Sequence, residues 1–293
     1  MTIPTSPPVP GEHPLENLSN EKIKSRRWYH DALLVTGAVI VSVAIFLAVF
    51  GEAIAPYDPR VPVGPPSSPP SGTHWFGTDT AGLDVFSRVI SAPRIDVTLA
   101  VSAALLSGIL GTLIGLLAGF YRGPFSALIM RISDVLQAFP VFILAMVLVA
   151  LSGRNLTNLI FALTFLYTPI FVRLTRAEVL TQRERSYVEA ARAAGNSDIK
   201  IALKHVLPNS LTPSLIQLSV TVGFGILLTA GLSFVGAGVR PPNPEWGLMI
   251  ANSAPQIVLG EWWTSLFPGI AVSLTVVGFA ALSNAIERRV STS

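Results

Sequence analysis

Six stretches of mostly apolar residues follow one another along this chain, at 32–55, 97–120, 127–151, 156–176, 209–232 and 264–286. Each is close to the length of about 20 residues that crosses a bilayer as a helix. Hydrocarbon offers a backbone amide no partner, so each stretch must satisfy its own N–H and C=O groups, and a helix does so. The fold class that follows is an all-α integral membrane protein with six transmembrane helices. Charged residues make up 13% of the chain, where a soluble domain carries about a quarter. The absence of cysteine excludes a disulfide framework, a thiol nucleophile and a thiolate metal centre.

The basic residues orient these helices. With the N-terminus inside, the inner side receives Lys22, Lys24, Arg26, Arg27, Arg122, Arg131, Arg173, Arg176, Arg183, Arg185, Arg192, Lys200, Lys204, Arg288 and Arg289, fifteen of the 20 Lys and Arg residues. Arg60, Arg88, Arg94, Arg154 and Arg240 fall outside. Such a bias places both termini in the cytoplasm. The chain then divides into a cytoplasmic tail (1–31), a first helix (32–55), an extracytoplasmic segment (56–96), a five-helix core (97–286) with a long inner loop (177–208), and a short tail (287–293). Pro4, Pro7, Pro8, Pro10 and Pro14 oppose a helix at the start of the first tail. Ala53-Ile54-Ala55 resembles a signal-peptide cleavage site, but the polar preface and the apolar run are both too long for a secretory leader.

Within the core, Ala103, Ser107, Gly111, Gly115 and Gly119 put a small residue at every fourth position, a face on which a second helix can pack closely. Asp134 is one of few acids near the bilayer, either functional or paired with Arg131 three residues earlier. The Gly- and Pro-rich segment 232–247 leads into a short interfacial helix near Leu248–Ile257, with Trp246, Trp262 and Trp263 at the membrane surface. His74 reads as a simple loop histidine.

The inner loop is the longest polar interval in the C-terminal half. As a helix, Tyr187, Ala190, Ala191 and Ala194 share one smooth face, with Arg185, Glu189 and Arg192 together on the other. Gly195 is a left-handed stop, Ser197 a cap for a second short helix, and Pro208 suits a first helical turn. Glu189-Ala190-Ala191, Gly195 and Val206-Leu207-Pro208 resemble the loop motif of ABC-importer permeases. Three further stretches look like the dipeptide, oligopeptide and nickel group of that family: Gly77-Thr78-Asp79 through Arg88, Asp134 to Pro140, and Leu232 to Gly247 with its Pro244-Glu245-Trp246. Leu83 departs from the pattern, which commonly has Arg there.

The resemblance implies a type I ABC importer transmembrane domain over the core, with a cytoplasmic coupling helix. Tyr187, Glu189, Ala190, Ala191, Arg192, Gly195, Leu207 and Pro208 would couple to an ATPase; Gly111, Gly115 and Gly119 would pack helices; Gly77, Thr78, Asp79, Pro244, Glu245 and Trp246 would meet a binding protein. The implied partners are a second homologous permease in a heterodimer, two ATP-binding subunits, an extracytoplasmic solute-binding protein and membrane lipid. The implied location is the bacterial inner membrane. The implied function is half of a translocation pathway for peptides or a similar small solute. A nickel permease of the same group and a stand-alone secondary transporter are the alternatives, the latter disfavoured by span centres almost free of ionisable groups.

No Gly-x-x-x-x-Gly-Lys-Ser/Thr pattern occurs, so ATP and Mg are expected on partner subunits, with no cofactor in this chain. Neither His-Glu-x-x-His nor Gly-x-Ser-x-Gly is present, so no enzymatic activity or catalytic residue is expected. His13, His30, His74 and His205 are scattered, which argues against a metal site. Topology accounts for the basic residues without nucleic acid. Reporter fusions after Asn20 and after Ser293 should both report cytoplasm; a periplasmic signal from either would remove the six-span arrangement.

Overall fold

The computed structural model describes residues 14–291, with side chains described over 32–289. Among the described residues twelve α-helices follow one another: α1 (Pro14–Ile54), α2 (Val85–Ser91), α3 (Pro93–Phe120), α4 (Pro124–Ala138), α5 (Val141–Ser152), α6 (Leu156–Gln182), α7 (Ser186–Ala193), α8 (Asp198–Ile201), α9 (Leu207–Ser210), α10 (Thr212–Phe234), α11 (Trp246–Ser253) and α12 (Trp263–Ser291). Prolines at the first helical positions start α3, α4, α9 and α10, where a missing N–H costs nothing. The first helix begins at Pro14, so it takes in the second part of the polar tail as well as the apolar run. The proline-rich start of that tail lies outside the described residues.

By length and composition, five helical stretches can cross a membrane: Ala32–Ile54, Val85–Phe120, Leu156–Gln182, Thr212–Phe234 and Trp263–Arg289. The expected third span at 127–151 is not one helix. It is α4 and α5, bent by 95°. Pro140 lacks an amide and pushes Phe139 out of the helical region, where its φ and ψ are −83° and 142°. The two together can count as a sixth span. Asp134 on α4 pairs with Arg173 of α6 at 2.6 Å, and not with Arg131. The neighbouring helix presents its cation to that face more directly than the same helix does.

Three apolar clusters lie along the bundle. One joins α1, α2, α3, α10, α11 and α12 through Val85, Val89, Ala100, Ile226, Trp246 and Phe279. A second joins α3, α5, α6 and α10 through Leu99, Val149, Leu163 and Leu232. The third holds the loop after α6. Between them, α3 and α6 meet backbone to backbone along Gly111, Gly115 and Gly119. A Cβ on Gly115 would lie 2.7 Å from the Val172 carbonyl oxygen and 2.8 Å from Thr175 Cβ. One on Gly119 would lie 2.7 Å from Val179 Cγ1. The seam therefore packs within this chain. Thr175 extends it to α10 through a 2.9 Å hydrogen bond with Ser214.

Because that contact is with backbone, Gly115→Leu cannot be absorbed by a rotamer change, and overpacking should cost about 1–3 kcal/mol or more. The purified chain should lose folded, monodisperse protein. Gly269→Ala is the control, since a Cβ there meets nothing within 4 Å. Equal yields and unfolding midpoints for both variants would show that the seam is not tight.

Candidate docking loop and the cap opposite it

The loop begins where α6 outlasts α3. The last carbonyls of α3 have no helical partner. Arg183, the residue after α6, donates from Nη1 to the carbonyls of Gly119 (3.1 Å) and Phe120 (2.7 Å). Arg176 donates to Ser126 Oγ (3.1 Å), which in turn donates to the Ala118 carbonyl (2.6 Å). Arg122 and Glu184 add an exposed ion pair between the two helix ends. The loop is thus fastened to α3 by polar groups before α7 starts.

On α7, Val188 and Ala191 turn inward onto Leu116, Phe120, Val179, Ile201, Ala202 and Val206, with Tyr187 and Leu207 half-buried at the edge. Tyr187 donates its hydroxyl to Gln182 Oε1 (3.0 Å). This revises the smooth alanine face read from the sequence. Ala191 belongs to the chain's own core, whereas Ala190, Ala193 and Ala194 are exposed. Valine and isoleucine outcompete alanine for the interior because they remove more apolar area from water.

The helix stops in a Schellman arrangement. Gly195 has φ +77°, its N–H donates to Arg192 O (3.0 Å), and Asn196 N–H donates to Ala191 O (3.2 Å). Asn196 Nδ2 reaches the same carbonyl (3.0 Å). Ser197 precedes α8 in extended conformation but makes no side-chain cap. A π-helical turn, Ala202–Val206, then leads to α9, with Leu207 N–H donating to Ala202 O. Pro208 sits in the first turn of α9 and is exposed.

Glu189, Ala190, Arg192, Gly195 and Pro208 are all on the surface. Among the described residues, Glu189 makes no ion pair with Arg185 or Arg192; Arg192 reaches Asp198 instead, at 3.5 Å. Both members of that pair are more than half exposed, so it contributes little. The surface also carries Ile199 (65% exposed) and Leu203 (48%), one helical turn apart. Sequence reasoning passed over these two and Arg183. The apolar pair at four-residue spacing in an otherwise polar loop was the available signal.

At the other end of the bundle, residues 55–84 and 235–262 fold into a cap. Asp84 caps α2 by accepting from Ser87 N (2.8 Å) and Ser87 Oγ (2.7 Å), and it meets His74 Nδ1 at 2.9 Å. His74 is buried, not a free loop histidine. Thr78 is fully buried; it donates to Pro65 O (2.6 Å), accepts from Ser68 N (2.9 Å), and its carbonyl accepts from Trp263 Nε1 (3.3 Å). Gly77, at φ +73°, packs under the Trp263 ring. Asp79 closes a turn by accepting from Ala81 N (2.9 Å) and Leu83 N (3.0 Å). Arg88 donates to Pro59 O (2.7 Å) and Pro242 O (3.2 Å) and faces Asp79 Oδ2 at 3.9 Å, so it ties three segments together.

Pro244, Glu245 and Trp246, expected at a partner surface, are buried instead. Glu245 caps α11 by accepting from Gly247 N (3.0 Å) and Leu248 N (2.6 Å), and burial pushes its carboxyl above the ordinary value. Trp246 donates Nε1 to Val89 O (3.0 Å) and its backbone N–H to Asp96 Oδ2 (3.1 Å). Gly77 and Thr78 are likewise interior. These residues build the cap, and a partner on this side would meet Trp75, Thr80, Val258, Leu259 and Trp262, which are exposed. The interfacial helix expected near Leu248–Ile257 is α11 with the 3₁₀ turn Ala254–Leu259.

Comparison with known proteins adds to this geometry. Residues 111–292 match the model of the family described as "Binding-protein-dependent transport system inner membrane component". The chain is 38% identical to the "Probable D,D-dipeptide transport system permease protein DdpC" of Escherichia coli K12, over 87% of this chain and 86% of that protein. It is 38% identical to the "Glutathione transport system permease protein GsiD" of Escherichia coli O6:K15:H31, over 89% and 87%. The glutathione permease of Pectobacterium atrosepticum is 35% identical over the same shares. A bundle of membrane-length helices with this match over more than half its length belongs to the binding-protein-dependent transport system inner membrane components, as a multi-pass ABC importer permease of the inner membrane.

Proposed function

We propose that this permease forms half of the translocation pathway of an ATP-driven importer for peptides or peptide-like solutes. The observation that carries the coupling part is the loop after α6. Its inner face is locked to α3 by Arg183 and the Val188–Ile201–Val206 core, while its outer face is left free. That outer face carries Glu189, Ala190, Ala193, Ala194, Ile199 and Leu203, small and apolar groups around one carboxylate. Such a surface suits a groove on an ATP-binding subunit. A push there would pass through Arg183 into the end of α3 and along the α3–α6 seam. The substrate class rests on the two similar permeases, whose names specify a D,D-dipeptide and glutathione, both short peptides.

In this reading two ATP-binding subunits supply ATP and Mg, and this chain holds no cofactor and performs no hydrolysis. The second permease is a homologue, and an extracytoplasmic binding protein delivers solute at the cap. Both termini are cytoplasmic. Between α3, α4 and α6 lies an open groove of about 530 Å³ lined by Leu110, Ile132, Leu136, Phe161, Phe165 and Val172. A wide apolar groove in one subunit is suited to a helix of the second permease. ATP-driven closure of the ATPase pair would draw the two loops together and reopen the paired bundles outward.

The test is binding-protein-stimulated ATP hydrolysis, with uptake alongside, in the assembled complex. Glu189→Ala should leave insertion and folding intact, because the carboxylate is exposed and without an ion pair among the described residues. It should lower stimulation. Gly195→Val should lower it further, because a β-branched residue at φ +77° costs at least about 1–2 kcal/mol and unseats the following turn. Full stimulation and uptake in both variants would refute the coupling role.

A further inference from the structure

Two carboxyl groups meet in the interior of the cap. Asp96, in the first turn of α3, is 2% exposed, and Glu245, just before α11, is 0% exposed. The two side chains lie beside each other, Asp96 on the amide that directly follows Glu245 in the chain, close enough for each charge to act on the other. Three consecutive amides surround them: Trp246 N–H donates to Asp96, and Gly247 and Leu248 N–H donate to Glu245.

No cation is paired with either carboxyl among the described residues. Arg88 of α2 is engaged with Pro59, Pro242 and Asp79. Arg94 is held by Glu52 of α1. The helix α10 carries no ionisable residue, and those of α12 and the charged end of α6 lie at the opposite end of the bundle. Glu261 follows on the loop before α12. The amides and dipole of α11 can stabilise one negative charge. A second bare carboxylate alongside it in a dry interior would be repelled, and a hydrogen bond between two carboxyls needs a proton.

We propose that one proton shared by Asp96 and Glu245 fastens α11 to α3, and that its loss loosens the cap as the pH on that side rises. Both are positioning residues in this role. The closed cap binds one proton that two solvated carboxylates would not. Closure is therefore strongest at low pH and weakens as pH climbs above the ordinary carboxyl range. The upward push that burial gives Glu245 runs in the same direction.

The absence of cysteine allows a direct test on the full chain in nanodiscs. Met249, buried in α11, is replaced by cysteine as reporter, and exposed Thr80 by cysteine as reference. Maleimide labelling of the first relative to the second should rise as the pH climbs above the ordinary carboxyl range, by up to about tenfold per pH unit while the proton is being lost. In the Glu245→Gln and Asp96→Asn backgrounds, where an amide donates the bond without a titratable proton, the ratio should stay low and flat. A flat ratio in the otherwise unmodified chain overturns the proposal whether or not the variants fold. An undiminished rise in a folded variant overturns it as well. The measurement involves no partner subunit, so its failure leaves the importer reading untouched.

Discussion

Where α3 and α6 touch, they touch through backbone, and much of the rest of the molecule hangs from that contact. Gly111, Gly115 and Gly119 remove every side chain that would hold the two axes apart. The gain is dispersion contact and close hydrogen bonding in a solvent that gives no hydrophobic reward for helix association. From the seam, Thr175 reaches α10, Arg173 and Arg176 reach α4, and Arg183 reaches the end of α3. A one-residue slip of α6 would misplace all four at once. The loop after α6 inherits its position from this register.

The cap follows a different rule. It is irregular chain held by buried polar groups, each with several partners. Arg88, Asp84, Thr78 and Glu245 each satisfy backbone atoms that loops cannot satisfy among themselves. Removing one partner of such a group leaves the other buried and unpaired, which costs more than the bond gains. The loop end tolerates exposure, whereas the cap end depends on its buried pairs.

Much of this was legible in the sequence. Membrane-length apolar runs gave the helices, because in hydrocarbon length and hydropathy leave one backbone solution. The four-residue spacing of Gly111, Gly115 and Gly119 gave a packing face, and Gly195 gave the stop, because each depends on local geometry alone. What depends on three dimensions was not legible. The inward turn of Ala191 follows from Val188, three residues earlier, which packs with it onto Ile201 and Val206 of the returning chain. The burial of Glu245 and Trp246 follows from contacts across 150 and 157 residues of chain. Asp134 paired with the cation of a neighbouring helix, 39 residues away, for the same reason.

The 95° break between α4 and α5 bears on how this chain lives in lipid. These helices have 15 and 12 residues, and at 1.5 Å per residue they extend only about 22 and 18 Å, each short of a hydrocarbon layer of about 30 Å. If the two cross as one span, the bend at Phe139-Pro140 falls at membrane depth, where the last carbonyls of one helix and the first amides of the next lack helical partners. Acyl chains cannot solvate them. An open turn at that depth is stable only beside water or against another protein. In that arrangement the elbow turns away from lipid, and the bend, more than the length of either helix, decides which side of the bundle acyl chains can cover.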